Sequence, residues 1–176
     1  MLVVFGGLPG TGKTTLARQV AERLGATYLR IDTIEQALRS SMALADDVGP
    51  AGYVIAYAIC ETNLTLGRAV VADCVNPLPV TRAAWRDVAA RTASPIVEIE
   101  VICSDEAEHR RRVESREIDI PGLVLPTWAA VMARDYEPWS EPRLVVDTAN
   151  MTTTEAELAI VDAIKRRSSG LSNVSQ

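Results

Sequence analysis

The segment from Leu2 to Leu24 constrains this chain more than any other. An apolar run, Leu2-Val3-Val4-Phe5, leads into Gly7-Leu8-Pro9-Gly10-Thr11-Gly12-Lys13-Thr14, and an amphipathic stretch follows in which Leu16, Ala17, Val20, Ala21 and Leu24 share one face. The octapeptide fits G-x-x-x-x-G-K-[ST] at every required position, in the strand-then-helix setting the motif needs. Backbone N–H groups can converge on phosphate oxygens only where the chain turns without Cβ obstruction, which Gly7, Gly10 and Gly12 permit. The start of the helix adds its partial positive charge. Lys13 offers a compact cation to the β and γ phosphates of a nucleoside triphosphate, and the Thr14 hydroxyl is the expected ligand of Mg²⁺, with Thr15 a secondary candidate. Lys13 and Lys165 are the only lysines in a chain that otherwise uses arginine, so the point charge stands where a phosphate needs one.

The remaining pattern alternates strands with helices. A short run over 27–31 ends at Asp32, and a helical stretch follows to about residue 42. A connector over 45–50 leads to a helix over about 51–66. Ala69-Val70-Val71-Ala72 ends in Asp73. Then come a helix over about 81–90, a strand over 95–103, a helix over about 105–116, a loop, and a helix over about 126–136. A strand over 143–147 and a helix over about 154–167 complete the order, and the polar tail 168–176 reads as disordered. Such βα units close as a parallel sheet with helices on both faces, so the fold class is α/β with five parallel strands. With 176 residues and 48% hydrophobic content, a single domain over 1–167 can bury its own core. Ligands of such sheets bind at the carboxyl ends of the strands, which here carry the glycine loop, Asp32, Asp73, Ser104-Asp105 and Asp147-Thr148.

Eighteen basic residues against 23 acidic ones give a formal charge of −5, so no general basic field gathers a long nucleic acid. Cys60, Cys74 and Cys103 sit in apolar runs and read as buried thiols of a reducing compartment. No charged leader precedes the first apolar run, and no apolar stretch approaches the ~20 residues that span a bilayer, so a cytoplasmic protein is expected. No His/Cys cluster has metal-ligand spacing, which leaves Mg²⁺ as the one metal implied. His109, the single histidine, is expected in solvent on the arginine-rich helix.

Several features together resemble the small P-loop kinases of the AAA-type ATP-binding family, the group that includes zeta toxins, chloramphenicol phosphotransferase, and gluconate-kinase-like and polynucleotide-kinase-like domains. They are the glycine loop, Ile31-Asp32, the strand ending in Asp73 with Asn76 beyond it, and Cys103-Ser104 before the arginine-rich helix. Tyr136-Glu137-Pro138-Trp139 before Val145-Val146-Asp147-Thr148 completes them. The resemblance implies a three-layer P-loop sandwich and ATP-dependent phosphoryl transfer to an alcohol group. It also implies a helical insertion over 33–66 above the acceptor and a lid over 105–136 whose arginines, Arg112 and Arg116 foremost, clamp phosphates. Thr148 joins the glycine loop among the nucleotide contacts. A GTPase would carry Asn-Lys-x-Asp, which is absent from the sequence.

Asp32 is the candidate general base, since a carboxylate beyond the second strand faces the γ phosphate and can take a proton from an acceptor hydroxyl. Capping the helix that begins at Thr33 is the alternative. Asp73 has the hydrophobic-run-then-acid pattern of a magnesium carboxylate. Arg110, Arg111, Arg112 and Arg116 could instead pair with Glu108, Glu114 and Glu117 on the surface. Tyr53, Tyr57 and Glu61 recur at i, i+4 and i+8 as a stripe able to stack on a sugar or nucleoside, and Asn76 could contact the acceptor or metal-bound water. Arg30 and Arg39 favour an anionic acceptor, whereas Asp46, Asp47 and Glu61 favour a cationic or hydroxyl-rich one. Two other readings stay open: a nucleotide-dependent binding module with no acceptor, and a kinase of nucleic-acid ends or nucleotide sugars.

Overall fold

Strand β1 (Leu2–Gly6) is buried along its whole length because its alternate side chains enter two different cores. The computed structural model describes residues 1–41 and 48–172. Val3 and Phe5 join Leu16, Ala17 and Val20 of α1 (Lys13–Leu24) and Ala156, Ile160 and Ile164 of α7 (Thr153–Ser172). Leu2 and Val4 face the other way, toward Ile31 of α2 (Ile31–Ser40), Ala56, Cys60 and Leu64 of α3 (Ala51–Thr65), and Trp85 and Val88 of α4 (Pro79–Arg91). Side chains buried this fully contribute about 1.5–3 kcal/mol each for Val, Leu or Phe, so covering both faces is what drives the layering.

The sheet contains β2 (Thr27–Arg30), β3 (Val70–Asp73), β1, β4 (Ile96–Ile102) and β5 (Leu144–Asp147), in that spatial order and all parallel. This is the five-stranded α/β sandwich expected of the chain. The register pairs Phe5 with Asp73, and Asp73 with Arg30, so the carboxyl ends of β1, β3 and β2 lie level. Residues that follow them in sequence are therefore neighbours in space. α5 (Glu106–Glu114) and α6 (Trp128–Met132) pack on one another.

β4 departs from a simple apolar strand. Its outward-alternating Glu98 and Glu100 are buried and meet Arg86 at 3.2 Å and Arg143 at 2.8 Å. Burial pushes the Glu98 carboxyl up, and Arg86 opposes the shift. Beside them Arg82 of α4 has no solvent exposure, yet it donates to the carbonyls of Asn76, Pro77, Glu137 and Pro138. Its guanidinium lies 4.3 Å from the Trp139 ring. This clasp accounts for Tyr136-Glu137-Pro138-Trp139: Tyr136 donates to Glu100, Trp139 donates to Tyr136, and the Trp139 ring lies against Gly6 where the glycine loop begins.

Element boundaries differ from the sequence reading in three places. The helix expected over 126–136 is only the five residues of α6, capped by Thr127, because the segment after it must turn to reach the Arg82 clasp. The arginine-rich helix stops at Glu114, so Arg112 and Arg116 do not share a helical face; the chain turns to carry Asp119 toward Arg30. The tail expected to be disordered from 168 is helical through Ser172, since a helix docked on the sheet extends at low cost once nucleated. Its last residues, 173–176, lie outside the described residues, as do 45–47 of the 45–50 connector and the end of the helix expected near Met42.

Candidate active site

The glycine loop is held from several sides. Gly7, Gly10 and Gly12 have φ of 137°, 86° and 89°, values that L side chains resist. A Cβ on Gly7 would stand 2.2 Å from the Val101 carbonyl oxygen, and one on Gly10 would stand 2.5 Å from Val113 Cγ2. Here glycine is therefore required for close approach as well as for turning. Gly7 N–H donates to Val75 O, Thr11 Oγ1 donates to Leu8 O, and Thr148 Oγ1 donates to Thr11 O. His109 is buried, contrary to its expected exposure: its Nε2 donates to Pro9 O at 2.8 Å while its ring meets Trp128 edge-on. One side of α5 is thus packed onto the loop, and a lone polar residue between arginines gave no sign of it. α1 starts at Lys13 from Gly12 with no capping side chain, so its first N–H groups point into the loop unclaimed by a cap.

Lys13 is nearly buried, and burial lowers its ammonium against the opposing pull of Asp73 and Asp32. Both carboxylates expected from the strand ends are therefore close enough to act on it. Asp73 is 2% exposed, and its Oδ2 accepts from Tyr28 Oη at 2.7 Å. Burial, then the Asp73 charge, push the Tyr28 phenol up, so it stays a donor. Thr14 with Asp73 is an all-oxygen donor pair, the chemistry Mg²⁺ takes, and Tyr28 engages Oδ2 alone, so the pair fits that ion. Asp32 lies inside the first turn of α2, whose N-cap is Arg30, so it is not a capping residue.

Arg30 is the feature sequence reasoning missed. Its side chain is 2% exposed and reaches Asp119 at 2.6 Å, Asp32 at 3.4 Å and Asp73 at 3.8 Å. Asp119 also meets Arg18 at 2.7 Å and Arg116 at 3.8 Å. Arg30 is thus an internal cation between the candidate base and the candidate metal carboxylate, and is unavailable to an acceptor. Arg30 and Arg18 hold the Asp119 carboxyl down to about 2, against an ordinary 3.8. The folded value is below the unfolded one, so this stabilisation is complete above pH 3.8 and disappears as pH falls through about 2. Asp119→Asn is expected to flatten the loss of stability across that window in urea titrations; a slope equal to the wild type's would remove Asp119 from the acid response.

Three cavities line up along the carboxyl edge. The middle one, about 340 Å³, is bordered by Gly10, Gly12, Lys13, Thr14, Arg112 and Arg116. Beyond Gly12 and Thr15, a second of about 500 Å³ is bordered by Leu16, Arg112, Thr148 and Met151. Arg112 is fixed between them by Glu108 at 2.7 Å and by Thr148 Oγ1 at 2.8 Å, whereas Arg110 and Arg111 are surface ion pairs with Glu114 and Glu108. A third, about 620 Å³, includes Pro9, Lys13, Asp32, Arg39, Tyr53 and Arg116. Tyr53 is held by accepting from Asn76 N–H at 2.9 Å.

Three residues expected at the acceptor, Tyr57, Glu61 and Asn76, are not brought to that cavity. Tyr57 donates to Thr81 O and sets its ring edge-on to Trp85, because the stripe on α3 turns away from the cavity one turn after Tyr53. Glu61, a turn further on, pairs with Arg91 at the surface. Asn76 is fully buried in the left-handed region at φ 52°, its side-chain amide without a partner among the described residues, so it shapes the turn behind Tyr53 and does not line the cavity. Glu35 and Gln36 do line it, one turn beyond Asp32, and helical periodicity could have found them. Arg134 lines it as well, with no sequence signal.

A parallel sheet with a glycine-lysine loop after its central strand, facing two carboxylates and flanking arginines, defines the P-loop kinase fold. Residues 2–134 match the AAA domain family, and the chain belongs to it. Uncharacterized proteins of Mycobacterium tuberculosis and Mycobacterium bovis are 38% identical over 109 residues, a match covering 55% of this chain and only 22% of theirs. Among solved structures, a gluconokinase from Sinorhizobium meliloti 1021 is 18% identical with a TM-score of 0.68, covering 99% of this chain and 97% of that one. A sugar kinase from a Janibacter species is 17% identical with a TM-score of 0.69, covering 93% and 94%. Chaetomium thermophilum Kti12, in complex with ADP-AlF3, is 23% identical with a TM-score of 0.68, covering 93% and 99%. At these identities the likeness is one of fold. No described helix is long and apolar enough to cross a membrane.

Proposed function

We propose that the protein transfers the γ phosphoryl group of ATP to a hydroxyl of a small molecule. The observation that carries this reading is that Lys13 and Arg116 border both the phosphate cavity and the 620 Å³ cavity containing Asp32, so a γ phosphate and an acceptor would meet between them. The loop amides and Lys13 hold the β and γ phosphates, with Gly7 to Thr15, Arg112 and Thr148 as the nucleotide-binding set. Asp32 takes the proton from the acceptor hydroxyl as its oxygen attacks the γ phosphorus; the bond to the bridging oxygen breaks and ADP leaves. Lys13 and Arg116 stabilise the charge that accumulates. Mg²⁺, held through Thr14 and Asp73, would add charge neutralisation on the β and γ oxygens. Glu35, Gln36, Arg39 and Tyr53 form the acceptor wall, and 105–136 act as the lid. The buried free thiols suit a reducing cytoplasm.

The gluconokinase and sugar-kinase neighbours, and the ADP-AlF3 complex of another, agree with this chemistry. ATP consumption and ³¹P-detected product should be followed against sugars, sugar acids, nucleosides and aminoglycosides, with Lys13→Ala as the blank. At least one class is expected to stimulate ADP formation well above the blank. Nucleotide binding with no stimulation across the panel would replace the kinase with a nucleotide-dependent binding module.

A further inference from the structure

The sequence alone leaves the charge of the acceptor undecided, because acidic and basic residues are both available to its site. The fold reassigns several of them. Arg30 is buried against Asp119, and Glu61 pairs with Arg91 on the surface, so neither addresses the cavity. Lys13 and Arg116 also border the phosphate cavity and serve the nucleotide. Of the charged residues lining the acceptor cavity, Glu35, Arg39 and Arg134 remain besides Asp32.

Helix α2 is a ruler along this cavity. Ile31, Asp32, Glu35, Gln36, Arg39 and Ser40 line it at helical spacing. Arg39 follows Asp32 by seven residues, which at 1.5 Å per residue is about 10 Å along the axis. Glu35 and Arg39 pair at 3.2 Å. Burial raises the Glu35 carboxyl, and Arg39 foremost, then Arg134, acts against that rise; both arginines line the same cavity as Glu35. The Arg134 backbone N–H donates to Val131 O, but its guanidinium has no ion-pair or hydrogen-bond partner among the described residues. Apart from Asp32 and the two cations shared with the phosphate cavity, the lining thus holds two guanidinium groups against one carboxylate. The segment Leu123 to Pro126, which also lines it, is mostly apolar.

We infer that the acceptor is a polyhydroxylated acid, carrying a carboxylate or phosphate that Arg134 and Arg39 bind about 5–10 Å from the hydroxyl presented to Asp32. Gln36 lies between, and Ser40 beside Arg39, as neutral hydrogen-bonding partners for its other hydroxyls. The volume, about 620 Å³, admits ligands from a monosaccharide acid to a nucleotide. This inference rests on the phosphotransferase reading for its direction but makes a separate claim about binding.

Matched pairs separate the two claims: gluconate with glucose, glucose 6-phosphate with glucose, and a nucleoside 5′-monophosphate with its nucleoside. Each is titrated into the full chain with AMPPNP and Mg²⁺ by ligand-observed NMR, and in parallel tested for stimulation of ADP formation from ATP. At least one acid is expected to bind ten-fold or more tightly than its neutral partner, and Arg134→Gln to remove most of that preference with AMPPNP affinity and melting temperature unchanged. Arg39→Gln repeats the test from the other guanidinium. The sugar-acid and phosphate arms tell carboxylate from phosphate. If no acid binds, if neutral partners bind as well, or if Arg134→Gln leaves the preference intact, the anion site is overturned. Acids that bind through Arg134 without stimulating ADP formation uphold the site and overturn the phosphotransferase reading.

Discussion

Asp32→Asn is expected to lower acceptor-stimulated turnover by about 10²–10⁴ while leaving nucleotide affinity close to the wild type's, because a carboxamide keeps the shape but cannot accept the proton. The position favours such a clean result. Asp32 is in the first turn of α2, where an acid is favoured by the helix dipole but a neutral side chain is tolerated. Its one ion-pair partner, Arg30, retains Asp119 at 2.6 Å when Asp32 is neutralised. Lys13 likewise retains the influence of Asp73, so its grip on phosphate should survive. Single-turnover kinetics with the acceptor found by the panel would check the chemical step directly, and unchanged rates there would remove Asp32 from the base role.

Arg82→Ala is expected to destabilise the fold by about 3–5 kcal/mol, since several buried carbonyls lose a charged donor and each one left unpaired costs about 1–3 kcal/mol. For a chain of this size that is a fall of about 6–20 °C in melting temperature. The four carbonyls of Asn76, Pro77, Glu137 and Pro138 lose their shared donor at once, and the Trp139 ring loses the cation beneath it. Arg82→Lys should recover only part of the loss, since an ammonium has three donors and no planar fork. Urea unfolding that shifts by less than about 1 kcal/mol in Arg82→Ala would mean that water replaces the side chain at little cost. Trp139 rests on Gly6 and Asn76 supports Tyr53, so a looser clasp should also weaken nucleotide binding.

The candidate site was legible only in part. Asp32 and Asp73 could be picked out because each closes an apolar run, and a parallel sheet brings strand ends to one edge. Of the tyrosine stripe on α3 only Tyr53 lines the cavity: periodicity set Tyr53 and Tyr57 on one face but could not say where that face ends, and Trp85 of α4 claims Tyr57. His109 looked solvated between arginines, yet the packing of α5 on the loop buries it against Pro9. The arginine-rich helix expected to about residue 116 ends earlier, at Glu114, a boundary that the pull of Asp119 toward Arg30 accounts for and local propensity does not.

Local chemistry explains what the sequence determined by itself. The glycine loop, its lysine and the helix it opens are neighbours along the chain, and the alternation of apolar strands with amphipathic helices admits few ways to bury both sheet faces. Tertiary structure alone decided the contacts between residues far apart in the chain: Arg30 with Asp119, 89 positions apart; Thr148 with Thr11, 137 apart; Arg82 with the 137–138 carbonyls. A charge shows its type in the sequence but not its partner, and the partner decides whether an arginine braces the core, as Arg30 and Arg82 do, or faces an open cavity, as Arg134 does.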